Sequence, residues 1–278
     1  MPDPWCPEVI PAPEPLGVAG WARAALRLVA LSVLLVAGVL LLLPVRLVEG
    51  LLRARHRPVS PRITQAVSRI ALPILGLSCR RHGRPMVHKG GVVANHASWL
   101  DIFALNAGQS VFFVAKSEVA QWPGIGLLAR ATGTVFIRRA PGDAKIQQAL
   151  LESRLGAGHK LLFFPEGTSS DGSLVLPFKS TLFEAFFTPE NAADLWVQPV
   201  SVLYRSPPGK PYWFYGWWGE MGFVSHLLKV CAAQRRGHVD VVYHPPLQVA
   251  RYRGRKDLAL ACEKAVRAGH KALVDSTR

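Results

Sequence analysis

Two short phrases in this chain hold the residue types that proton-transfer chemistry needs. The first is Val92-Val93-Ala94-Asn95-His96-Ala97-Ser98-Trp99-Leu100-Asp101, which ends an apolar run with a histidine followed five residues later by an aspartate. The second is Phe164-Pro165-Glu166-Gly167-Thr168-Ser169, which closes another apolar run. A histidine titrates near neutrality, and a carboxylate on one ring nitrogen fixes the tautomer that leaves the other nitrogen free to accept a proton. In a continuous helix, residues i and i+5 do not face each other. His96 and Asp101 therefore meet only if the histidine sits in a loop and the aspartate on the first helical turn. Ser98-x-x-Asp101 reads as such a helix start. By themselves the same residues also read as a loop histidine beside a helix cap. Glu166 likewise reads as a plain turn carboxylate, with Gly167 permitting the sharp turn.

Cations recur where apolar runs end: Lys116 after Phe112–Ala115, Arg138 and Arg139 after Phe136-Ile137, and Lys179 after Pro177-Phe178. Converging, they would bind a phosphate or another anionic headgroup; singly, each is a solvated charge on a basic protein. No Gly-x-Ser-x-Gly elbow supplies a serine nucleophile. No zinc or calcium spacing is present, and the four cysteines show no Cys-x-x-Cys pair. They read as reduced thiols. Gly124-Ile125-Gly126-Leu127-Leu128-Ala129 matches a dinucleotide-binding pattern only formally, because Gln121-Trp122-Pro123 separates it from the preceding strand.

The elements that must position these groups alternate. Strands are expected at Gly91–Asn95, Ser110–Ala115, Gly133–Ile137, Lys160–Phe164, Trp196–Leu203 and Val239–Tyr243. Helices are expected at Ser98–Asn106, Gly126–Ala131, Asp143–Leu155, Thr181–Phe187 and Arg255–Leu273. This pattern argues an α/β fold with a mostly parallel central sheet flanked by helices. His96, Lys116, Arg138 and Glu166 all follow strands, so their sheet edge is where such folds bind ligands.

The N-terminal part differs. Residues 1–20 are proline-rich and read as a flexible tail. Residues 21–80 read as a membrane-anchoring helical segment, and residues 81–278 as the α/β domain. Leu28–Val45 contains no charged residue, which suits a membrane helix that either spans or dips into one leaflet. The heavier basic load follows it, at Arg46, Arg53, Arg55 and Arg57, placing the rest of the chain on the cytoplasmic side. Residues 61–77 suggest a second, amphipathic helix broken by Pro73. The net charge of +15 implies an anionic partner. The aromatic run Tyr212-Trp213-Phe214-Tyr215-Gly216-Trp217-Trp218 suits either a core or a bilayer interface.

Taken together, the phrases resemble the blocks of the glycerolipid (1-acyl-sn-glycerol-3-phosphate) acyltransferase family. Asn95-His96-x-x-x-x-Asp101 matches its first block and Gly133-x-x-Phe136-Ile137-x-Arg139 its second. Phe164-Pro165-Glu166-Gly167-Thr168 matches its third, and Val197-Gln198-Pro199-Val200 its fourth. The resemblance covers about residues 60–250. It implies that His96 is the base and Asp101 its partner. It also implies that Glu166, Gly167 and Thr168 position the acceptor, while Lys116, Arg138, Arg139 and Lys179 hold its headgroup. Neither metal nor cofactor is implied; acyl-carrier protein or acyl-CoA serves as co-substrate, and the acceptor is a lysolipid. The implied setting is the cytoplasmic face of a bacterial inner membrane, without nucleic acid as a partner. Members acting on lysophosphatidate often carry arginine after Glu-Gly-Thr, where this chain has Ser169, followed by Ser170 and Asp171. Losing that arginine removes a bidentate phosphate clamp. The pattern is similar to the lyso-ornithine-lipid O-acyltransferase branch. The rival reading is a non-catalytic basic module that binds anionic lipid or nucleic acid. It accounts for the charge and the anchor but leaves the histidine and glutamate phrases idle.

Overall fold

The computed structural model describes the chain except residues 1–9, 13–14, 53, 55, 139–141, 143, 189–192 and 277–278. Two helices come first. α1 spans Val18–Leu51 and α2 spans Ser60–Ile74. At 1.5 Å per residue α1 is about 51 Å long, long and apolar enough to cross a membrane. α2 returns along it. Glu49 at one end of α1 accepts the backbone N–H groups of Val59 and Ser60 at 2.8 and 3.0 Å, and Gly76 lies against Arg27 at the other end. Pro73 falls in the last turn of α2 and does not shorten it.

An eight-stranded sheet follows: β1 (Leu77–His82), β2 (Gly90–Ala94), β3 (Phe112–Lys116), β4 (Val135–Ile137), β5 (Lys160–Phe163), β6 (Trp196–Arg205), β7 (Gly237–Tyr243) and β8 (Leu247–Gln248). Its order is β1-β7-β6-β2-β5-β3-β4, with β8 paired to β6. β2 is central, parallel to β5 on one side and β6 on the other. All five of its residues are buried, as expected of a strand covered on both faces. The sheet is mixed: β7 and β8 run antiparallel to β6, and β1 runs parallel to β7. The six expected strands are present. β1 was not expected, because Leu-Ser-Cys-Arg-Arg-His is an edge strand exposed over most of its length and shows no apolar run.

Helices α3 (Asp101–Gly108), α4 (Ile125–Thr132), α5 (Ala144–Gly156), α6 (Phe223–Ala232) and α7 (Arg255–Asp275) complete the fold. Two cores cover the two faces of the sheet. One joins Ala24 and Leu31 of α1, Leu72 of α2, Leu105 of α3 and Val230 of α6. The other joins Leu155 of α5, Leu258 and Cys262 of α7, and Phe183 and Phe186 from the 3-10 turn Thr181–Phe186. Within the aromatic run, Phe214, Tyr215 and Trp218 are core residues, whereas Tyr212 is exposed.

Candidate active site

The C-terminal end of β2 delivers Asn95 and His96 to the sheet edge. The Asn95 amide pairs with β6 as a strand would, donating from Nδ2 to the Val202 carbonyl and accepting the Val202 N–H at Oδ1, at 2.9 and 2.8 Å. This double bond fixes where the next residue leaves the sheet. His96 then turns its ring onto Phe164 of the neighbouring loop, with centroids 4.0 Å apart and planes 12° from parallel. Nδ1 lies 2.7 Å from Asp101 Oδ2. The histidine side chain is 20% exposed and the aspartate is fully buried. A buried carboxylate at that distance is acceptor-only, so Nδ1 carries the proton and Nε2 presents its lone pair outward.

The helix begins at Asp101, not at Ser98. Residues 97–100 form a tight loop, in which Ser98 Oγ accepts the Leu100 N–H at 3.4 Å and the aspartate accepts donors from the loop before it. Asp101 Oδ2 accepts the N–H groups of Ala97 and Ser98 at 2.9 and 3.1 Å. Oδ1 accepts the Tyr204 hydroxyl at 2.7 Å. Four donors thus converge on a carboxylate with no exposure, which offsets the cost of burying its charge. Burial pushes the Tyr204 phenol well above its ordinary pKa, and Asp101 pushes it further, so Tyr204 remains a donor. Sequence reasoning missed Tyr204. Its contact is with a residue 103 positions away, and its only signal is a polar tip among apolar neighbours on a buried strand.

Glu166 is also interior, at 2% exposure. Its two oxygens accept the N–H of His96 and the N–H of Leu176, each at 2.7 Å. Burial pushes its carboxyl up to about 8, against the pull of those two donors; the Asp101 charge adds to the rise and Arg267 opposes it. Glu166 therefore braces the histidine loop. Gly167 takes φ +74°, the left-handed turn that lets the chain reverse after Pro165. Thr168 is exposed beside it, whereas Ser169 is buried.

The expected cations occupy the same sheet edge at greater distance. Lys116 ends β3, two strands from β2, and Arg138 follows β4, three strands away. At roughly 4.8 Å per strand these are offsets of about 10 and 14 Å. Lys179 is exposed, with its N–H on the Pro165 carbonyl at 2.9 Å. Arg139 lies outside the described residues. No group of three or more His, Cys, Asp or Glu side chains suited to a metal occurs among the described residues.

Known proteins of similar sequence give the family. The Acyltransferase family model matches residues 79–203, the span that carries His96, Asp101 and Glu166. A lyso-ornithine lipid O-acyltransferase of Rhodobacter capsulatus is 56% identical over 265 residues, covering 95% of this chain and 96% of its own length. The chain belongs to the glycerolipid acyltransferase family. It is an acyltransferase. A second protein with that name, from Rhizobium meliloti, is 35% identical over 89% of this chain and 85% of its own. A 1-acyl-sn-glycerol-3-phosphate acyltransferase of Neisseria gonorrhoeae is 44% identical over a shorter stretch, 46% of this chain and 50% of its own. Among solved structures, PlsC of Thermotoga maritima, a 1-acyl-sn-glycerophosphate acyltransferase, shares the fold. Its TM-score is 0.58 at 22% identity, covering 89% of this chain and 97% of that one.

Proposed function

We propose that the protein transfers a fatty acyl group from acyl-carrier protein or acyl-CoA to the free hydroxyl of lyso-ornithine lipid. The observation that carries the reading is the His96–Asp101 pair, 2.7 Å apart, with the aspartate buried and the histidine ring partly exposed. Nε2 takes the proton of the acceptor hydroxyl as its oxygen attacks the thioester carbonyl. Asp101 stabilises the imidazolium and keeps its tautomer. Collapse of the tetrahedral intermediate expels the thiolate, which recovers the proton from His96. A positioned base of this kind supplies about 10²–10⁴ in rate. The thioester is already activated, so the proposal needs neither a covalent acyl-enzyme nor a metal.

The acceptor assignment draws support from the relatives of that name and from the loop after Glu166. Where an arginine would clamp phosphate, the chain has buried Ser169 and then Asp171, a carboxylate suited to an amine-bearing headgroup. Lysophosphatidate is the second reading, favoured by the rim of Lys116, Arg138 and Lys179. The test is a competition assay with purified full-length protein, both acyl donors and an equimolar panel of lysolipids. Lyso-ornithine lipid should be consumed first. Preferential consumption of lysophosphatidate would overturn the acceptor assignment, and free fatty acid as the main product would overturn acyl transfer to lipid.

The proposal also seats the enzyme on the cytoplasmic leaflet of a bacterial inner membrane, with α1 in one leaflet rather than across both. Both ends of the charge-free segment are tied to the same folded domain. Arg27 Nη1 donates to the Cys231 and Ala233 carbonyls at the end of α6, at 3.1 and 2.9 Å. Arg46 Nη1 donates to the Arg130 carbonyl at 2.9 Å and to that of Ala131, at the end of α4. A spanning helix would place these ends on opposite faces of about 30 Å of hydrocarbon. Leu26, Val29, Val33, Val36, Leu40 and Leu47 form an exposed stripe that would enter the acyl region. Cysteines introduced at exposed Gly17 and Gly50, read against wild type, should react with an impermeant maleimide from the same side of sealed vesicles. Labelling from opposite sides would sink this topology.

A further inference from the structure

A groove of about 330 Å³ opens between the last turn of α2 and the start of β1, away from the histidine dyad. Its floor includes Leu72 and Leu77, and Arg69, Arg81 and Arg236 border it from α2, β1 and the approach to β7. No carboxylate lines it. Arg69 is oriented by a bond from Nε to the Ala107 carbonyl at 2.8 Å, the C-terminal part of α3. Arg81 and Arg236 make no ion pair among the described residues. Elsewhere in the molecule, crowded arginines have internal work. Arg46 and Arg154 donate to the carbonyls of Arg130, Ala131 and Gly133 around the end of α4, and Arg205 pairs with Asp240. Behind the groove lies Tyr243, packed where Gly108 leaves no room for a side chain. Its hydroxyl is buried without a hydrogen-bond partner among the described residues.

Three guanidinium groups around one concavity repel each other unless an anion joins them. Each also offers forked donors matched to phosphate oxygens. The volume suits a headgroup rather than a bare ion, and the leucine floor suits the first carbons of a glycerol ester. The groove also lies at the level of Gly76, which packs on Arg27 where the charge-free segment of α1 begins. We infer that this groove is a second, non-catalytic site that binds the phosphate headgroup of a membrane phospholipid. The inference rests on the one-leaflet seat proposed above, and not on the identity of the acyl acceptor.

The test uses full-length protein in neutral detergent micelles titrated with phosphatidylglycerol, in parallel with inorganic phosphate. The Arg69→Gln/Arg81→Gln/Arg236→Gln variant should lose about tenfold in affinity for the lipid. The Arg84→Gln/Arg251→Gln/Lys271→Gln variant removes the same charge from exposed positions elsewhere and should lose less than threefold. Equal losses would mean diffuse attraction and would overturn the proposal. Groove-dependent binding of inorganic phosphate without groove-dependent binding of lipid would overturn it as well. Arg81→Gln/Arg236→Gln leaves the Arg69–Ala107 bond in place and should show a loss of several-fold, which separates recognition from misfolding. His96→Ala should bind phosphatidylglycerol as wild type does, so failure of the acyl-transfer reading and failure of this one appear in different assays.

Discussion

Two aspartates border the histidine loop, and they are held in opposite ways. Asp101 is fully buried and takes four donors, three of them from its own loop and one from Tyr204 on β6. Asp171 is at the surface, where Oδ1 accepts from Ser173 and Oδ2 from the Tyr212 hydroxyl at 3.0 Å. The first arrangement is enclosed and over-determined. The second is a local turn with one long-range contact from an exposed tyrosine. The contrast teaches that the chemistry and the choice of acceptor are built by different means. The base is aimed by buried hydrogen bonds that tolerate no exchange, whereas the rim is composed of exposed charge that can change without disturbing the fold.

The largest effect should come from the enclosed side. His96→Ala removes the base and should lower turnover by about 10³, within the 10²–10⁴ range of positioned bases. Thiol release from acyl donor plus lysolipid measures it, and the circular dichroism spectrum should match wild type. Near-normal turnover would remove His96 from the mechanism and collapse the contrast.

Next is Glu166→Gln. One carboxylate oxygen becomes an NH₂ group facing a backbone N–H, so a buried donor is left unpaired at a cost of about 1–3 kcal/mol. The variant should melt earlier and lose turnover because the His96 N–H loses its anchor or Leu176 does. Its pH dependence is a sharper check. The folded carboxyl lies near 8, above its ordinary 4.5. The folded chain therefore holds that proton more tightly than the unfolded chain. The group's stabilising contribution is whole below pH 4.5 and is lost as pH rises through 8. Glutamine does not titrate, so the stability advantage of wild type over Glu166→Gln should shrink across that window. A constant difference in melting temperature from pH 5 to 9 would contradict this account.

Tyr204→Phe is smaller, because the aspartate keeps three donors. Turnover should fall about tenfold, in line with losing one hydrogen bond to a charged group, about 1.5–3 kcal/mol in general and less where other donors remain. Unchanged turnover would mean that the Tyr204 hydroxyl does not help to hold Asp101.

The enclosed half was the more legible half in sequence, for a physical reason. His96 and Asp101 lie five residues apart, and His96 and Glu166 each follow a buried apolar strand, which leaves a pattern. Long-range contributions leave none. Tyr204 and the Asn95–Val202 pairing depend on β6 lying beside β2, and strand order is not written in local periodicity. The regular helix starts three residues later than expected, although Ser98 and Asp101 make the helix-start bonds that the sequence suggested. The two backbone bonds of Glu166 left no mark either, because their donors, on His96 and Leu176, lie 70 and 10 residues away. β1 was invisible because an edge strand can be charged.

Asp171→Asn probes the open half and should have the smallest effect. Asparagine keeps the Oδ1 acceptor for the two Ser173 bonds, and Tyr212 can turn its exposed hydroxyl to either amide atom, so the loop should hold. What changes is one negative charge at the edge of the site, screened by water and salt. If headgroup charge sets acceptor choice, the ratio of lyso-ornithine lipid to lysophosphatidate turnover should fall about two- to threefold in 10 mM salt, consistent with an exposed-pair energy of about 0.2–1 kcal/mol. The change should fade at 0.5 M salt, where the screening length is only a few ångströms. Ser169→Arg is a blunter probe, because Ser169 is buried and its neighbour Ser170 donates its N–H to the His96 carbonyl at 2.9 Å. A guanidinium forced in there would disturb the base as well as the rim. An acceptor ratio unchanged by Asp171→Asn at low salt would mean that shape rather than charge selects the headgroup, and the two aspartates would then differ in burial but not in kind of work.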